Sequence, residues 1–159
     1  MLDTILFYLN GINLWVVVAM LAMTPFGEAR ISIIYGIAQG LNPFYVFLLS
    51  IIFNILIVLP ILFFLRQKWI MNIIHKIMGN KITKLVEKNK EKFELYEELA
   101  LFGFVAVPFI GTGAWTGALL STVLELDSKK SFIVIAAGII TAGIIVYFGT
   151  SSAVYLLKG

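Results

Sequence analysis

Glu28 and Arg30 stand two residues apart in a chain that otherwise keeps charge out of its apolar stretches: Thr4 to Gly27 before them and Ile31 to Leu65 after them hold no Asp, Glu, Lys or Arg. A charge carried into hydrocarbon costs roughly 3 kcal/mol on insertion scales, so such residues are paired or functional. One reading is an ion pair that pins the chain locally. The other gives Arg30 the anionic group of a substrate and Glu28 a proton, because desolvation raises a carboxyl pKa toward neutrality while the nearby guanidinium opposes that shift. Pro25 and Gly27 lie just before the pair, where a proline costs a helix one backbone hydrogen bond.

A second constellation follows Pro108: Gly111-Thr112-Gly113-Ala114-Trp115, two glycines and a hydroxyl opening a helix. Free amides at a helix start attract phosphate or carboxylate. It is not a dinucleotide fingerprint, because the third glycine falls at 117 and no βαβ unit surrounds it. Gly113, Gly117 and Ser121 equally suit a face on which helices approach closely. Trp115 either packs the core or lines a cavity. Asn54, deep in an apolar run, is a secondary candidate whose ordinary role is an interhelical hydrogen bond, and His75 reads as a solvated residue or a pH sensor.

The elements that position these residues are membrane elements. Of the 159 residues, 60% are apolar and 13% charged, and the mean hydropathy is +0.99, far from the balance of a soluble domain. The absence of Cys excludes disulfides and thiolate chemistry. No metal-ligand cluster is legible and no cofactor is expected. The net charge of +3 is not a nucleic-acid signal, since eight of the twelve Lys and Arg lie in residues 66–92.

The whole chain, 1–159, reads as one all-α membrane domain, an inverted repeat of a re-entrant helical hairpin followed by a transmembrane helix. Repeat one, 1–65, has a hairpin at about 11–41 and a helix at 44–65; 66–92 is an amphipathic linker; repeat two, 93–159, has a hairpin at about 93–126 and a helix at 131–157. Gly11 to Asn42-Pro43 is too long for one span of ~20 residues and too short for two. Each half reaches a Pro-Phe (Pro25-Phe26, Pro108-Phe109), turns at glycine, and returns through small residues four apart: Ser32, Gly36, Gly40, then Gly113, Gly117, Ser121. In the linker, Trp69, Ile70, Ile73, Ile74 and Ile77 recur at helical spacing, and charges alternate from Lys84 through Glu87 and Lys88 to Glu91.

The positive-inside rule places 66–92 in the cytoplasm and, with hairpins that return to their own side, both termini outside. Lys129 and Lys130 then fall inside as well. Phe7, Tyr8, Phe44, Tyr45 and Tyr155 mark the outer interface and Phe63, Phe64, Trp69, Phe93 and Tyr96 the inner one. Met1-Leu2-Asp3-Thr4 lacks a basic region, so the first apolar segment is not read as a signal peptide.

Inverted repeats with broken helices meeting near the midplane are transporter architecture. The strings P-F-G-E-A-R at 25–30, G-I-A-Q-G-L-N-P at 36–43 and P-F-I-G-T-G-A-W-T-G-A-L at 108–119 resemble the small multidrug export family, itself similar to the DedA superfamily. The resemblance implies two re-entrant hairpins and a transport role, and through DedA the translocation of lipids by membrane-embedded acidic and arginine residues, a pair that Glu28 and Arg30 match. The second tip lacks the further Arg and acidic residue that many DedA proteins carry.

The leading function is therefore a secondary transporter or translocase in the cell membrane for an amphiphilic substrate, with lipid phosphate as the candidate anionic head group and protons as the candidate coupling ion. Membrane lipids are the expected surroundings, and the small-residue stripes also allow a homo-oligomer. Export of cationic drugs through a lone Glu28, and a non-transporting assembly role, are the alternatives. An enzyme is not expected, because Gly149-Thr150-Ser151 has no intramembrane histidine to pair with.

Overall fold

The computed structural model describes residues 13–78, 90–108 and 112–158. Among these the secondary structure is helical: α1 (Leu14–Met23), α2 (Glu28–Ala38), α3 (Pro43–Leu65), α4 (Lys68–Met78), α5 (Lys90–Ala106), α6 (Ala114–Val123) and α7 (Ser128–Lys158). The expectations for Phe7, Tyr8, Gly11, Phe109, Gly111, Lys84, Glu87 and Lys88 lie outside the described residues.

Local chemistry sets the boundaries. Asn13 opens α1 by accepting from the Trp15 amide at 3.0 Å, and Thr24 closes it in an extended conformation, as the residue before a proline prefers. Pro43 occupies the first position of α3, where its missing N–H costs nothing, and the Asn42 side chain accepts from Phe44 and Tyr45. The 23 and 31 residues of α3 and α7 suffice to cross a bilayer. At 10 and 11 residues, α1 and α2 each rise about 15 Å, roughly half of a hydrocarbon core. Both long helices leave large apolar side chains exposed, among them Ile52, Leu56, Leu59 and Phe63 on α3 and Ile133, Ile144, Ile145 and Phe148 on α7. Such faces fit lipid and not water.

The chain forms two compact units, Met1–Phe53 with Gly143–Gly159, and Asn54–Ala142. In the first, α1 packs on α2, and both meet the start of α3. Ser32 Oγ lies 2.7 Å from the Val18 carbonyl and 2.7 Å from Ser50 Oγ, all three residues being buried. Gly36 permits this approach, since a Cβ there would lie 2.6 Å from Val46 Cγ1 and 3.0 Å from Val18 Cγ2. The Phe47 and Tyr147 rings, 5.3 Å apart, and Gly143 against Ile51 join α3 to the end of α7.

In the second unit, α5 and α6 pack around Leu101, Val105, Ala114 and Ala118. Gly138 faces Val105, where a Cβ would come to 2.7 Å from the valine Cβ. α4 opens with Lys68 and Trp69; the Trp69 indole N–H donates to Gln67 Oε1 and its ring meets Phe64 edge-on at 6.0 Å.

The segments α2–α3 and α6–α7 correspond at a spacing of 85 residues. The buried residues of α2 are Ala29, Ser32, Ile33, Gly36 and Ile37, and those of α6 are Ala114, Gly117, Ala118, Ser121 and Thr122. The turns that follow repeat bond for bond. Leu41 donates to the Gly36 carbonyl as Leu126 does to Ser121, and Val46 to Asn42 as Ser131 does to Asp127. Asn42 Oδ1 accepts two amides of α3, and Asp127 Oδ1 accepts the amides of Lys129 and Lys130. The left-handed residue is Gly40 in one turn (φ 81) and Glu125 in the other (φ 55). This register sets Gly36 against Ser121 and Ser32 against Gly117, four residues away from the alignment suggested by small-residue type. The Asp127 cap also explains why α7 starts at Ser128 and takes Lys129 and Lys130 into its first turn, instead of starting at Ser131.

Candidate functional site

The first unit contains the Glu28 and Arg30 tip. Thr24 builds it: its hydroxyl donates to the Leu21 carbonyl at 2.9 Å and accepts the Gly27 amide at 2.9 Å, while its carbonyl accepts the Glu28 amide at 3.1 Å. Pro25 and Phe26 are exposed, and Gly27 is buried. A Cβ on Gly27 would run into the Leu21 carbonyl oxygen and come within 2.6 Å of the Thr24 hydroxyl, so the tip needs glycine there.

Glu28 itself is left-handed, with φ 49. A non-glycine residue in that region costs on the order of 1 kcal/mol and persists where the surroundings impose it, often at functional sites. Its carboxylate sits in the first turn of α2, at the positive end of the helix dipole. Arg30 is half-buried, and Glu28 acts on it electrostatically. The tip thus joins a strained backbone to a part-desolvated charge pair. The planar fork of the guanidinium suits a carboxylate or a phosphate.

The second unit contains the other tip. Thr112 Oγ1 donates to the Val107 carbonyl at 2.8 Å. The Gly113 amide donates to Thr116 Oγ1 at 2.9 Å, and Gly117 donates to the Gly113 carbonyl at 2.7 Å. The Gly113 amide is therefore engaged by Thr116, a residue that sequence reasoning passed over. Trp115, Thr116 and Leu119 line an open cavity of about 740 Å³ with Ile57, Pro60 and Phe64. This size suits a drug-sized or single-chain apolar group. Pro60 has no N–H to return to the Leu56 carbonyl, which places a helix defect beside the Trp115 ring.

Pro25, Gly27, Glu28 and Arg30 thus belong to one unit, and Pro108, Thr112, Gly113 and Trp115 to the other. Asn54 is buried on the packed face of α3, at 1% exposure. In the 85-residue register Glu28 corresponds to Gly113 and Arg30 to Trp115. Sequence reading also passed over Arg66, Lys68 and Lys129, which the second unit gathers around one cavity. They look like ordinary basic residues at a membrane edge, and only the pairing of the end of α3 with the start of α7 reveals them together.

A family model with the description "Putative small multi-drug export protein" matches residues 28–145, most of the chain. The chain belongs to this family. The match begins at Glu28 and takes in both the α2–α3 pair and the α6 helix with much of α7, so the small multi-drug export family is matched over both corresponding segments. No curated protein and no solved structure matches the chain. Membership in this family fits a general transport role, and the two long apolar helices fit a membrane protein.

Proposed function

We propose that this small multi-drug export family member is a secondary transporter or translocase of the cell membrane, moving an amphiphilic substrate with an anionic head group of the lipid phosphate type, coupled to protons through Glu28. In this reading α1–α2 and α5–α6 are re-entrant hairpins of an inverted repeat, with the linker in the cytoplasm and both termini outside. The short lengths of α1, α2 and α6 and the 85-residue correspondence support it.

The observation that carries the proposal is the Glu28 and Arg30 pair at the strained tip of a hairpin too short to span. When an anionic head group reaches Arg30, it displaces Glu28 from the guanidinium. A half-buried carboxylate that loses its cation then favours the protonated form. Head-group binding and proton uptake are coupled without a further ion. Within the second unit, the Trp115 cavity has an aromatic, apolar lining that suits an apolar group. The same aromatic lining supports a second reading, export of a cationic drug held over the indole face.

Reconstituted vesicles separate these readings. A fluorescent lipid phosphate should move faster with a pH gradient than without it, and a cationic dye should not respond. Glu28→Gln should remove the gradient dependence while binding persists, and Arg30→Lys should weaken transport without unfolding the protein. Full recovery of stability and transport when Glu28 and Arg30 are both replaced by Leu would reduce the pair to a staple.

A further inference from the structure

At the end of α3 the second unit holds an open cavity of about 1060 Å³ whose lining is graded along the helices. One end is apolar, with Leu59, Leu62 and Phe63 from α3 and Phe132 and Ile133 from α7. The other end carries Arg66, Lys68 and Lys129, with Trp69 beside them. Residues 59 to 66 span roughly 10 Å along a helix axis, so the apolar and cationic ends are separated on the scale of a lipid head group and its first methylenes.

The charge balance at the cationic end is incomplete. Arg66 is half-buried, and its Nε and Nη2 are buried without a hydrogen-bond partner among the described residues. Burial lowers the Arg66 pKa from its usual value, and Asp127 counters this only in part. Asp127 is already committed, its Oδ1 accepting the Lys129 and Lys130 amides at 3.0 Å each. Lys130 is paired with Glu98 at 3.3 Å. Three cations face the cavity, and among the described residues no acidic one lines it.

We infer that this cavity binds a phospholipid with an anionic head group, the phosphate lying among Arg66, Lys68 and Lys129 and an acyl chain running along Leu59, Phe63, Phe132 and Ile133. Free phosphate would leave the apolar wall uncovered, and an apolar ligand would leave Arg66 uncompensated, so a single molecule with both parts suits the lining. The inference rests on the membrane reading of the chain and is independent of transport: a lipid can occupy this site whether or not Glu28 and Arg30 move anything.

Trp69 supplies the probe. In a Trp15→Phe and Trp115→Phe background it is the sole tryptophan, and brominated lipids quench it on contact. In phosphatidylcholine vesicles, brominated phosphatidylglycerol should associate with Trp69 with at least about a fivefold preference over brominated phosphatidylcholine, and Arg66→Gln or Lys129→Gln should each lower that preference about fivefold. Lys76→Gln, outside the cavity, should leave it unchanged. Equal quenching by the two lipids would overturn the inference. So would a preference that survives Arg66→Gln with Lys129→Gln, an equal loss in Lys76→Gln, or complete relief of quenching by millimolar inorganic phosphate. Should the background substitutions prevent folding, native mass spectrometry of the chain with its tryptophans intact decides the matter. Anionic phospholipid should be retained over zwitterionic lipid by the parent and lost from the Arg66→Gln protein, and retention of both lipids alike would count against the site.

Discussion

The two short-to-long helix units, α2–α3 and α6–α7, share a backbone and differ in chemistry. Five buried positions, a capped turn and a left-handed residue recur 85 residues apart. Yet the tip positions carry Glu28 and Arg30 in the first and Gly113 and Trp115 in the second. A scaffold written twice has been given one charged tip and one apolar, aromatic tip. The chemistry is divided between the tips, the first suited to an anion and the second to an apolar group.

Exchanging the tips tests this division most severely. Trp115→Arg puts a guanidinium against an apolar wall with no Glu28 equivalent, and should destabilise the protein by about 3 kcal/mol, read as a drop in thermal midpoint in detergent. The opposite exchange, Glu28→Gly with Arg30→Trp, removes both charges together and relieves a left-handed glutamate. It should leave stability within about 1 kcal/mol while transport is lost. If both exchanges cost the same, the two tips are equivalent and the comparison fails.

A smaller effect of opposite sign is expected in the matched turns. Gly40→Ala meets no neighbour within 4 Å but strains a φ of 81, and should cost about 1 kcal/mol. Glu125→Gly relieves the same conformation and should stabilise by about 0.5 kcal/mol. Denaturation of the two variants side by side measures both, and equal signs would show that the turns are not equivalent.

The smallest effect depends on pH. The Lys130 amide foremost, the Lys129 amide and nearby positive charges hold the Asp127 carboxyl below its ordinary range, against the opposing effect of desolvation. A carboxyl depressed in the folded state contributes stability above its unfolded pKa, near ~3.9, and loses it as pH falls through the lower folded value. Asp127→Asn, which copies Asn42, should flatten the stability profile at and below about pH 4, and an unchanged acid limb would refute the assignment.

Much of this fold is legible in the chain, because proline, asparagine and charge punctuate it. Asn42-Pro43 announces α3, Pro25 interrupts the first apolar arm, and Lys68 to Met78 reads as a helix from its apolar spacing. The repeat register is not legible. Small-residue type pairs Gly36 with Gly117, whereas burial and turn bonds pair Gly36 with Ser121, and a serine can fill a position that a glycine fills elsewhere. The candidate tip at Glu28 and Arg30 stood out because charge is rare in apolar sequence. Arg66 did not, since a cation one residue past a span is common, and its separation from Asp127 is 61 positions along the chain but short in space. Thr116 escaped notice because a hydroxyl that caps its own helix leaves no periodic mark.

The serine contact in the first unit has a mechanical consequence. Ser32 ties α2 to both Val18 and Ser50 by directional bonds, and a bonded junction cannot slip along a helix without breaking them. The corresponding pair in the second unit is Gly117 and Ile135, an apolar contact in which a Cβ on the glycine would sit 3.5 Å from Ile135 Cγ1, though only 2.6 Å from Val105 Cγ2 on α5. Contacts of this kind shear at little cost. Helix α2 thus carries a bonded contact where α6 carries an apolar one, and amides of 114–123 should exchange with deuterium sooner than those of 28–38.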